Sequence, residues 1–520
     1  MDDSILAMFS GDDHALGPFL GNLPPEILDV VVGKLGWFQT TFAMAGRTCR
    51  EAVERVASTR AVLTEEERER LNSPEIPAPL AVAAAVTVSI ALMQVGPLSS
   101  GETALAAATL GAGGEYHPVT PARVFDSRSG ATPSTAPEGR ELTVPVVGLG
   151  GVPAASSEVL AVAVSITVVQ PTAAGYLSVR GAGEPDRGGS VVNFTAGRDV
   201  PNSAIVRPGA GGALTLRLVT PGAVGSAHVL VDVFGWFSTS SHGTRGARLV
   251  PVEPFRVADT RQGRGPVAVG TSLAVRVRGA GPVPDSGDVV GVVVNLTGVN
   301  TPAGNRSTYL SALPAAPAAP PATSNLNLTA GEVKPVLAIV PVGSDGAIHI
   351  YNAAGSTDVL VDVSGYLLAG VDESSRAGRV VPLSSPVRLI DTRLPAWGDA
   401  PLSASGRRDF SFGAFVADVA LAGEAIGAQS AVIGNLTATG LRGDPTSSGA
   451  STYLSVYPSP VDADRPPQVS SVNLTAGLDV PNLALLRYGG PADDPHRVRF
   501  FNAFGQLDHL FDASAVVLAD

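Results

Sequence analysis

The chain has 520 residues, a net charge of −12, 16% charged and 5% aromatic residues, with 59 glycines and 42 prolines. That acidity excludes a nucleic-acid-binding surface built on clustered cations, and the turn-rich composition excludes a helical bundle. One cysteine, Cys49, excludes an internal disulfide framework and a cysteine-based zinc site.

Residues 1–20 read as an acidic flexible tail. In 21–75, Leu23, Ile27, Leu28, Val31 and Leu35 recur at three- and four-residue steps, with Pro24 in the first turn, which predicts an amphipathic helix. Phe42, Ala45, Cys49 and Val53 predict a second helix, and Thr64 with Glu67 reads as a capping box for a third. The stretch 76–115 contains the uncharged segment Ala78–Val95, read as buried strands or helix, with a membrane span as the competing reading. Its Ala85–Gln94 portion is similar to Val162–Gln170 further on, as a fragment of another copy would be.

From 116 onward one unit returns three times, at 116–240, 241–370 and 371–520. Each copy opens on Arg-hydrophobic-x-Asp-Ser/Thr-Arg: Arg123–Arg128, Arg256–Arg261 and Arg388–Arg393. Each continues with Asn-x-Thr-Ala-Gly at Asn193, Asn327 and Asn473, and closes around Asp232, Asp362 and Asp512. Short apolar runs between Gly- and Pro-rich turns predict a mainly β protein: three tandem sandwich- or barrel-like domains behind a small helical module. Val289–Leu296 is apolar on both faces, as for a strand buried between layers.

Asp and Arg two apart on a strand share a face. Asp126/Arg128, Asp259/Arg261 and Asp391/Arg393 are therefore expected to form structural ion-pair sets, with Asp232, Asp362 and Asp512 as partner carboxylates for the arginines. A functional acidic–basic site used three times is the alternative. Asn193, Asn295, Asn327, Asn435 and Asn473 begin Asn-x-Thr and Asn305 begins Asn-x-Ser, but most sit in predicted strands, so bonding between strands accounts for them better than glycosylation. Tyr176, Tyr309 and Tyr453 are expected to pack at the core or rim. No catalytic signature occurs and the seven histidines are scattered, so neither enzyme activity nor a cofactor or metal is expected.

The repeat strings, RLIDTR and GSTDVLVDVSGY among them, resemble a tandem β domain of actinobacterial secreted and cell-surface proteins, over 116–520. The resemblance implies a non-catalytic module. Ala515 departs from it where Gly235 and Gly365 keep glycine. Leu23-Pro-Pro-Glu-Ile-Leu28, with Val31, Leu35 and the segment Ala45–Val53, resembles an F-box. That resemblance implies docking on a Skp-type adaptor of a ubiquitin ligase through Leu23, Pro24, Ile27, Leu28, Val31 and Leu35, with the β repeats holding a partner. With no secretory signal and one cysteine, the expected location is inside a eukaryotic or virus-infected cell. The alternatives are a structural or adhesive surface or virion protein, possibly membrane-anchored, and a lectin-like glycan binder.

Overall fold

The computed structural model describes residues 113–520 except 130–135, 138–140, 240–241, 300–306, 373, 395–399, 414, 416–427, 444–450 and 460–467. The helical module of 21–75, its six docking residues and the 78–95 segment lie outside the described residues.

Strands dominate, gathered in six antiparallel sheets, two per repeat. In the first repeat one sheet has the order Tyr116–Asp126, Ser226–Ser238, Val159–Val169, Val200–Val206, and the other the order Glu141–Pro145, Ala213–Val219, Gly175–Gly181, Val192–Phe194. The other two repeats reproduce both orders. The two sheets of each repeat enclose one apolar cluster, containing Val164, Ile166, Leu177 and Leu216 in the first. Apart from the two-residue strands Ala136–Pro137 and Val267–Ala268, each repeat has eight strands, distributed as 1-8-3-6 and 2-7-4-5, which make the double-sheet jelly roll.

The first sheet of each repeat is apolar on its other face too. Ladder register makes Ala163, Val293 and Ile433 equivalent, each beside the central closing strand at Gly235, Gly365 and Ala515. By the same register Tyr116, Leu249 and Val380 correspond, as do Ile205, Ile339 and Leu485, and Phe237, Leu367 and Val517. All twelve are buried in one cluster shared by the three repeats. This is why Val289–Leu296 is apolar on both faces: one lines its own sandwich, the other the common centre. Burying each large side chain there contributes on the order of 1.5–3 kcal/mol.

Main-chain bonds repeat the same rotation. Tyr116 and Ala247 exchange two N–H···O bonds, Leu249 N–H donates to Gly378, and Val380 exchanges two with Gly114, at 2.8–2.9 Å. First joins second, second joins third, and third returns to first. The three jelly rolls thus close a ring about a pseudo-threefold axis.

Where Gly365 and Gly235 have Ala515, packing explains the exchange. A Cβ at Gly235 would meet the ring of Tyr116, whose hydroxyl donates to Phe234 O at 3.1 Å. The third repeat has the smaller Val380 at the Tyr116 position, which leaves room for alanine.

Candidate functional site

The recurring strings form one staple per repeat. The first arginine of each, not the second, reaches the closing aspartate. Arg123 Nε and Nη2 donate to Asp232 at 2.8 and 2.9 Å, Arg256 to Asp362 at 2.7 and 3.0 Å, and Arg388 to Asp512 at 2.5 and 2.9 Å. The second arginine folds back on the aspartate two residues before it. Arg128 forks Asp126 at 3.0 and 2.8 Å, Arg261 forks Asp259 at 2.9 and 2.7 Å, and Arg393 forks Asp391 at 2.8 and 2.8 Å. The expected pairing of Arg128, Arg261 and Arg393 with Asp232, Asp362 and Asp512 is thereby corrected. The strand ends at the aspartate, and the following turn reverses the second arginine.

These forks set the charge states. The Arg128 fork holds Asp126 down at about 2, and the Arg261 fork holds Asp259 below the ordinary range. At Asp391, burial pushes upward but Arg393 and Arg388 outweigh it. At Asp362, burial prevails and raises the carboxyl above the ordinary range despite Arg256. All twelve residues of the three staples are paired within their own repeat.

The closing aspartates also reach across repeats. Asp512 Oδ2 accepts from Ser190 N of the first repeat at 3.1 Å, and Asp362 Oδ2 accepts from Ser470 N of the third at 3.3 Å. Beside them run buried amide pairs that the sequence did not single out. Asn202 donates to Asn435 at 2.9 Å, and Asn482 donates to Asn295 at 2.7 Å. Asn295 and Asn435, formally glycosylation acceptors, are 6% and 5% exposed and face these seams. The other three Asn-x-Thr positions, Asn193, Asn327 and Asn473, are half-buried.

One end of the axis holds a charged hub. Glu115, Arg248 and Arg379 occupy equivalent positions, one before Tyr116, Leu249 and Val380. Glu115 accepts from Arg248 Nε and Gly246 N, both at 2.8 Å, with Arg245 at 3.2 Å and Arg379 at 3.8 Å. Burial pushes the Glu115 carboxyl up, but these donors together hold it below the ordinary range. Sequence reading missed the hub because one position is an acid and two are arginines, and all three fall outside the repeated strings. Aligning the copies on Pro118, Pro251 and Pro382 would have placed them together.

Tyr176, Tyr309 and Tyr453 are half-buried on the second sheets. Tyr453 stands 6.2 Å from Phe501 and 6.3 Å from Phe504, which is 63% exposed, and Arg407 lies over the Phe501 ring. Among the described residues no group of three or more His, Cys, Asp or Glu is placed to hold a metal, and no helix is long and apolar enough to cross a membrane.

No protein-family model matches this chain, and no curated protein matches it. Among solved structures it is similar to the N-terminal CBM22-1-CBM22-2 tandem domain of Paenibacillus barcinonensis Xyn10C, at 13% identity, covering 48% of this chain and 98% of that one, TM-score 0.15. It is also similar to the triple jelly roll of an archaeal virus turret assembly, at 9% identity over 77% and 91% of the two chains, TM-score 0.14. A Sulfolobus Turreted Icosahedral Virus structure gives 10% identity over 77% and 92%, TM-score 0.14. At these TM-scores none of the likenesses bears on fold or function.

Proposed function

We propose that the β region is a structural and binding body without catalytic activity, in the class of surface, adhesive or virion proteins. The observation carrying this reading is the closed ring: three jelly rolls in one chain share a single core and fixed main-chain bridges. The arginine–aspartate staples that recur in every copy are spent on one another and on the seams between repeats, rather than converging on a reacting centre. Such a body presents the loops of three sandwiches in fixed relative positions, which suits multivalent contact. The F-box-like segment 21–75 would add a docking module for a Skp-type adaptor, and the aromatic face around Tyr453 and Phe504 would offer a stacking surface to a glycan.

Fractionation of the native protein in its source cell tests the reading. Recovery with the envelope or with particles is expected. A soluble pool complexed with a Skp-type adaptor, bound through Leu28 and lost on Leu28→Asp, would replace it with the adaptor role.

A further inference from the structure

At the other end of the axis from Glu115, three equivalent segments surround a cavity of about 340 Å³. They are the Asn-x-Thr-Ala-Gly turns and the strands that follow, one from each repeat. Three equivalent positions in its wall are Val200, Lys334 and Val480, each one residue before a paired proline at 201, 335 or 481. Two copies keep valine where the middle one has lysine.

Lys334 is 6% exposed and lines the cavity. Among the described residues it makes no hydrogen bond and no ion pair. A desolvated ammonium without a counterion is costly, so such a group either sheds its proton or receives an anion. The surrounding carboxylates are engaged elsewhere. Glu332 accepts from Thr329 N at 2.8 Å and from its hydroxyl at 3.1 Å, Asp199 accepts from Gln170 N at 2.8 Å, and Asp479 accepts from the Thr439 hydroxyl. A second cation, Arg198, lines the cavity from the first repeat. From the third repeat Asn473 lines the cavity, and its buried Oδ1 has no partner among the described residues. The wall thus offers two cations for an oxyanion, beside the hydrogen-bonded carboxylates of Glu332 and Asp479, and an acceptor for a hydroxyl, in a volume within the range of small-molecule sites.

We propose that this cavity binds a small hydroxylated oxyanion, a sugar acid or sugar phosphate, with Lys334 as the principal counterion, Arg198 as the second and Asn473 receiving a ligand hydroxyl. Burial, reinforced by Arg198, holds the Lys334 amine below its ordinary range, whereas Glu332 and Asp199 oppose that shift. An arriving anion would restore the proton.

The test is titration calorimetry on the full chain with D-glucuronate and, separately, glucose 6-phosphate, for the wild type, Lys334→Val and Asn473→Ala. Lys334→Val copies the residue of the other two repeats and is expected to fold with an unchanged or higher Tm. Binding of at least one ligand, weakened tenfold or more by Lys334→Val and less by Asn473→Ala, is expected; which one binds separates a carboxylate from a phosphate ligand. Failure of both to bind at millimolar concentration, or equal binding by folded Lys334→Val, would overturn the assignment.

Discussion

Asn482 of the third repeat donates its amide to Asn295 Oδ1 of the second at 2.7 Å, while its own Oδ1 accepts from Leu337 N at 2.8 Å. Asn202 of the first repeat does the same one seam away, donating to Asn435 and accepting from Leu483 N at 3.1 Å. The third seam departs from this pattern. Register puts Val336 at the position of Asn202 and Asn482, and Ser165 at that of Asn295 and Asn435. Among the described residues Ser324, the counterpart of Ser190 and Ser470, makes no bond to Asp232. Two seams are therefore polar, and the third has lost both members of its amide pair together.

This asymmetry has a measurable consequence. Asn482→Ala leaves the Leu337 N–H and the Asn295 acceptor short of partners in a buried seam, and should cost about 1–3 kcal/mol in urea unfolding. Val336→Asn alone buries an unpaired amide and should also destabilise. Combined with Ser165→Asn it should recover stability, because the pair is then rebuilt. Equal losses in the single and double variants would show that the third seam does not follow the rotation of the other two.

The staple assignment separates the two arginines of each string. Replacing Arg256 by Met leaves Asp362 buried and unpaired, a loss expected to reach about 3–5 kcal/mol. A double-mutant cycle of Arg256→Met with Asp362→Asn should therefore show a coupling of at least about 1 kcal/mol. The corresponding cycle of Arg261→Met with Asp362→Asn should be additive within about 0.5 kcal/mol, since Arg261 is spent on Asp259. A larger coupling in the second cycle than in the first would reverse the assignment.

His509 gives the acid response a distinct component. It is fully buried, stacked on Phe500 at 4.8 Å, and among the described residues neither ring nitrogen has a hydrogen-bond partner. Burial, aided by Arg408 and opposed by Asp391, drops it to about 3. The unfolded chain takes up this proton near pH 6.5, so stability is full above that value and is lost as pH falls towards 3. The carboxylates with lowered values, such as Asp126 and Asp259, act in the same direction but only below about pH 4. Register places Val229 and Val359 where the third repeat has His509. His509→Val should accordingly reduce the slope of stability against pH between 4.5 and 6 by about 1 kcal/mol per unit. An unchanged slope in denaturant titrations would mean that His509 is charged in the folded protein.

Strings, spacing and alternation made the threefold repetition and the β character legible. Val289–Leu296 even signalled a strand covered on both sides, although nothing in it says that the second cover is two sister repeats. The strand order was not legible, because a ladder joins residues such as Asp126 and Leu230 that no local pattern connects. Asp126 and Arg128 pair as their spacing suggested, but the turn at Ser127 keeps Arg128 on Asp126 and leaves Asp232 to Arg123. Asn202 and Asn482 each follow a Val-Pro pair, and nothing in that local context signals a bond to another repeat. Glu115 has nothing in common with Arg248 and Arg379 as a residue, and the three become a set only through position.

The central claim is that the three jelly rolls form one cooperative body. Hydrogen exchange of the full chain, resolved by mass spectrometry under EX2 conditions, measures it directly through the opening free energies of Val159–Val169, Val289–Val299 and Gln429–Arg442. These strands contribute Ala163, Val293 and Ile433 to the shared core, so all three should exchange only by one common global opening and lose protection together as urea is added. One strand opening several kcal/mol below the others, with separate urea dependence, would mean three independent domains on a string and would contradict the account.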